Sequence, residues 1–109
     1  MLLALLVAGC GPPVEYPILQ RFFAASRLGD TVALHEIATI VFEPREQGTV
    51  SRFDITRIDP RRDGNRELKD ITVSAVVRLP TRQRVRQALV LTMELTDGRW
   101  MIIACRPAS

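Results

Sequence analysis

The chain has 109 residues, 47% apolar and 25% charged, and its 15 basic and 12 acidic side chains leave a net charge of +3. That length allows one domain with a modest core and no more, and so small and dispersed a positive excess does not mark a nucleic-acid binder. Two cysteines, Cys10 and Cys105, and a single histidine, His35, are too few for a structural zinc site, so neither a metal nor a cofactor is expected.

The chain opens with Met1-Leu-Leu-Ala-Leu-Leu-Val-Ala-Gly-Cys10, an uncharged apolar run, and Gly11-Pro12-Pro13 follows at once. A transmembrane helix needs about 20 apolar residues, and this run is far shorter. Its end, Val7-Ala8-Gly9-Cys10, resembles the lipobox of bacterial lipoproteins, in which a signal peptidase cuts before the cysteine and the cysteine is acylated. The resemblance implies a signal peptide over residues 1–9, a lipidated Cys10 with a tether over residues 10–16, and a single domain over residues 17–109. No charge precedes Glu15, so the basic region of such a signal is expected upstream of Met1. Gly11 stands where an Asp typically retains a lipoprotein in the inner membrane, which points to the outer membrane facing the periplasm. Several acyl chains together anchor a protein durably, where one gives only reversible binding. An exported chain also has no nucleic acid to meet.

Beyond the tether, Ile18, Leu19, Phe22, Phe23 and Leu28 recur at helical spacing, predicting a helix over residues 17–28 with proline in its first turn. Gly29 is placed to end it as a C-cap. Asp30 is placed to N-cap a second helix over residues 31–38, because its carboxylate accepts the first free N–H groups. Residues 40–42 are ambiguous between helix end and strand, and residues 43–48 read as a turn. The periodicity then changes to two. Residues 50–58 form a strand, residues 59–66 a polar loop, and residues 71–79 a half-buried strand that alternates Ile71, Val73, Ala75 and Val77 with polar residues. Residues 80–83 turn the chain into a strand lined by Leu89, Leu91, Met93 and Leu95, and Asp97-Gly98 makes a tight hairpin to a last strand over residues 100–105. Cys105, in that strand, is expected as a reduced, buried thiol.

Two helices followed by an antiparallel meander is an α+β layout, and the sheet needs the first helix as its cover. One shared core is expected, with Phe22 or Phe23 near Trp100. The stretches Phe22-Phe-Ala-Ala-Ser-Arg-Leu-Gly-Asp30 and Leu95-Thr-Asp-Gly-Arg-Trp100 resemble the nuclear-transport-factor-2-like domains. The resemblance implies a helix pair packed on a curved antiparallel sheet of about four strands, shaped as a cone. That superfamily includes isomerases and dehydratases whose cone pocket holds an acid or base. The candidates here are His35, a general base at the pocket mouth beside Glu36, and Asp54, which alternation sends to the face opposite Phe53 and Ile55. Trp100 reads as a core plug or a ligand stacker. Tyr16 falls in the tether, leaving an isomerase-type phenolic donor missing.

Arg78, Arg82, Arg84 and Arg86 cluster around one hairpin with no acidic residue among them. They suit an anionic head group or an acidic partner, or else a charged strand face that discourages aggregation. The sequence therefore points to a membrane-anchored envelope lipoprotein, a non-enzymatic module that binds an envelope protein or a small apolar ligand. The alternative is a small isomerase or dehydratase using the cone pocket.

Overall fold

A computed structural model describes residues 13–108, so the lipobox-like stretch and Cys10 lie outside the described residues. Helix α1 (Glu15–Leu28) and helix α2 (Thr31–Ile37) precede strands β1 (Thr49–Asp63), β2 (Arg66–Arg78), β3 (Arg84–Thr96) and β4 (Arg99–Pro107). The strands form one open antiparallel sheet in the order β1-β2-β3-β4. The fold is α+β.

The corner between the helices forms as its residues dictate. Gly29 takes φ +68 at the end of α1, donating its N–H to the Ser26 carbonyl while Asp30 donates to the Ala25 carbonyl. This pair of bonds is the Schellman arrangement, which a residue without Cβ accepts at little cost. The Asp30 carboxylate then accepts from the Ala33 N–H at 3.1 Å, capping α2. Arg21 of α1 pairs with Glu36 of α2 and ties the two helices together. Past α2 the chain makes an isolated bridge from Ala38 to Ile102, so residues 40–42 are neither helix nor strand. Phe42 is nonetheless buried, and its N–H donates to the buried Ser26 hydroxyl at 3.0 Å.

The core lies between the helices and one face of the sheet. Leu19, Phe22 and Phe23 come from α1, and Ile71, Val73, Leu91 and Ile102 rise from the strands. The phenylalanines of α1 make their ring contacts with one another, 5.3 Å apart, and with Phe42 and Phe53. Phe23 contacts Phe42 and Phe53 edge-on or tilted at 5.6 and 5.4 Å, whereas Trp100 reaches the same core only partly buried, under Lys69. Tyr16 is not in a tether: it belongs to α1 and stacks on Phe53 with ring centroids 4.6 Å apart.

A second correction concerns residues 59–66. They are not a loop but a continuation of β1 and β2, paired down to Asp63–Arg66 across a two-residue turn of Gly64 and Asn65. Gly64 at φ +63 meets the requirement for positive φ at the first position of such a turn. Cys105 sits opposite Leu91 and is partly rather than fully buried; burial pushes its thiol up to about 11, with Arg106 pulling weakly the other way.

Candidate functional site

Side chains alternate across a strand, so the register sorts every sheet residue to the core face or to the outer face. Among the described residues no helix covers the outer face, and its two halves differ.

Near the β1–β2 turn the charges are matched. Arg61 Nε donates to Asp70 Oδ2 at 2.7 Å, and Thr92 Oγ1 donates to Asp70 Oδ1 at 2.7 Å. The Arg61 guanidinium is the chief reason the Asp70 carboxyl lies below its ordinary value; partial burial opposes it and Thr92 assists. Arg66 grips Glu94 through both Nε and Nη2, at 3.0 and 3.2 Å. Leu68 stands directly opposite both Arg61 and Glu94 and is only 2% exposed, although it lies outside the main core. Its direct cross-strand neighbours, Arg61 and Glu94, are long side chains of the kind whose alkyl stems cover apolar surface.

On the core side of the same end, Lys69 Nζ donates to Glu15 Oε2 at 2.7 Å and lies 4.1 Å from the centre of the Trp100 ring. Burial pushes the Glu15 carboxyl up, but the Lys69 hydrogen bond, a backbone hydrogen bond and the Lys69 charge together hold it below its ordinary value. Ion pair and cation–π contact thus fasten the start of α1 to the sheet.

At the β2–β3 end the charges are not matched. Arg78 and Arg84 are direct cross-strand partners, and in the next outward-facing row Arg52, Val76 and Arg86 stand abreast. All four arginines are exposed. Among the described residues none of them forms an ion pair; Arg86 donates to the Ser74 hydroxyl at 2.8 Å. Arg82 occupies the connecting loop at φ +76. The loop closes with the Arg82 N–H on the Leu79 carbonyl at 2.8 Å and the Leu79 N–H on the Gln83 carbonyl at 2.8 Å. The Glu43–Gly48 turn packs against this end: a Cβ on Gly48, at φ +96, would lie 2.3 Å from the Arg78 carbonyl oxygen.

The other sequence candidates are scattered. His35 is exposed on α2, at a cleft of about 220 Å³ lined also by Leu34, Ala38, Ile40 and Val41. Asp54 is exposed on the outer face opposite Ser74, while Trp100 faces the core. No two of these three meet, and the structure assembles no acid–base pair from them. Among the described residues no three His, Cys, Asp or Glu side chains converge on a point that would hold a metal ion, and no helix is long and apolar enough to cross a membrane. Of the four arginines singled out from the sequence, Arg78, Arg84 and Arg86 share the outer face and Arg82 leads into it. Arg52 was missed because it is distant in sequence. Only the β1–β2 register, with its shift between Val50 and Arg52, brings it beside Arg86 across Val76.

No family, curated protein or solved structure matches the chain.

Proposed function

We propose that this chain is a lipid-anchored module of the bacterial cell envelope, on the outer membrane facing the periplasm, and that it works by binding a partner rather than by transforming a substrate. The observation that carries the binding reading is how the space between α1 and the sheet is used. Leu19 and Phe22 fill it at 0% exposure against Ile71, Val73 and Leu91, also at 0%. Among the described residues the three buried polar side chains each have a partner: Glu15 takes Lys69, Ser26 takes Phe42, and Thr92 takes Asp70. Binding is then a property of the surface, where the unmatched arginines lie.

Anchoring rests on Val7-Ala8-Gly9-Cys10 and is supported by the early start of α1. Only Gly11–Val14 separate Cys10 from Glu15, a span of about 17 Å at full extension, so a lipid on Cys10 holds the folded domain close to the bilayer. The cone of the nuclear-transport-factor-2-like domains is the finer reading of the fold. It is supported by the helix pair laid over an open meander and by the Asp97-Gly98 turn ahead of Trp100.

The test is expression with a complete leader in a Gram-negative host. The mature protein is expected in the detergent phase and labelled by fatty acid, and Cys10→Ala is expected to be released or left uncleaved. Equal membrane association of both forms overturns the anchored reading.

A further inference from the structure

The β2–β3 end of the sheet carries two features that cost the fold stability. Arg78 and Arg84 face each other directly across the strands, where like charges repel. Arg82 holds a left-handed backbone at φ +76, a conformation that disfavours residues with a Cβ. Strain of this kind gathers where a surface serves something other than stability. The residues crowded there are arginines, whose planar fork takes a carboxylate through two parallel hydrogen bonds.

The same end also exposes apolar side chains. Leu28 is 71% and Val41 40% exposed, both on a groove of about 480 Å³ that Pro44 also lines. Pro44 accepts the Gly48 N–H at 3.2 Å, and Gly48 abuts the Arg78 carbonyl, so the groove lies at the same end of the sheet as the arginines but on the helix side, not on their outer face. Arginine is itself among the residues enriched at protein–protein interfaces. The position fits as well. The start of α1 is fastened at Lys69, nine residues of β2 from Arg78, or about 30 Å along the strand. If the chain is anchored through Cys10, this end is presented away from the bilayer.

From these observations we infer that the outward arginine rows, Arg52 with Arg86 and Arg78 with Arg84, dock an acidic segment of a partner protein, its carboxylates set into the guanidinium forks. The chemistry of docking stands on the geometry alone, and only its orientation rests on the anchored reading.

Poly-L-glutamate and vesicles of phosphatidylglycerol serve as probes, against the full chain carrying Cys10→Ala so that no lipid contributes. The decisive comparison sets Arg52, Arg78, Arg84 and Arg86→Gln against Arg57, Arg62, Arg66 and Arg99→Gln, two variants of equal net charge. The first is expected to bind poly-L-glutamate about tenfold more weakly than the parent and the second to stay within about threefold. Equal losses in both variants, no binding by the parent, or dependence on the four arginines for vesicles but not for poly-L-glutamate would each overturn the inference. Because the lipid is absent throughout, failure here is separate from failure of Cys10 to be acylated.

Discussion

The two ends of this sheet spend the same residue type in opposite ways. At the β1–β2 end, Arg61 and Arg66 each have a carboxylate partner, and Leu68 on the same face is buried. At the β2–β3 end, Arg78 lies between Thr49 and Arg84, and Arg52 and Arg86 flank Val76, none of the four arginines with a counter-ion among the described residues. Arginine count alone therefore says little about function in this chain. What separates structural arginines from candidate binding arginines is the register, which delivers Asp70 and Glu94 to one end and neither to the other.

That contrast can be broken by substitution. The largest effect belongs to the core both ends share: Phe22→Ala is expected to cost about 3–5 kcal/mol, read by urea unfolding, a large share of the roughly 5–15 kcal/mol that holds a domain. Next comes the matched end. Lys69→Ala leaves the Glu15 carboxylate, 8% exposed, without its partner and uncovers Trp100. A loss of about 2–3 kcal/mol is expected, between the values for surface and buried pairs, and a Glu15→Gln, Lys69→Ala double variant should lose less than the sum of the singles.

Acid sharpens the same point. Glu15 and Asp70 both titrate below their ordinary values of 4.5 and 3.8. A carboxyl depressed in the folded state contributes its stability above the unfolded value and loses it as pH falls through the folded one. Stability is thus expected to be flat with respect to these groups at neutral pH and to decline below about 4.5. Asp70→Asn, which removes the charge that Arg61 and Thr92 hold, should cost about 1 kcal/mol at pH 7 and reduce that acid dependence.

The smallest effects are expected at the unmatched end, with the opposite sign. Arg82→Gly relieves the φ +76 backbone and should raise stability by about 1 kcal/mol; Arg84→Thr removes the repulsion with Arg78 and should add a few tenths. Thermal melting in low salt reads both.

Much of the fold was legible because local chemistry specified it. The Gly29-Asp30 corner, the Asp97-Gly98 hairpin and the alternation through Ile71 and Val77 each had a physical cause visible in a few residues. The failures share a different cause. Asp59-Pro-Arg-Arg-Asp63 reads as a polar loop, yet it is strand, because its charges are neutralised across strands by residues such as Asp70 and Glu67 that only pairing brings near. Tyr16 and Glu15 read as tether for the same reason: their partners, Phe53 and Lys69, lie 37 and 54 residues away. The candidate site was half legible. Arg78, Arg82, Arg84 and Arg86 are neighbours in sequence, but their lack of counter-ions and the addition of Arg52 are properties of the register.

The most direct test of this division is urea unfolding of the Arg52, Arg78, Arg84 and Arg86→Gln variant beside Asp70→Asn. The account predicts that the fourfold variant is as stable as the parent or more so, while the single change at the matched end is less stable. A loss of about 2 kcal/mol or more in the fourfold variant, a large effect for surface substitutions, would show that these arginines hold the fold together and would contradict the account.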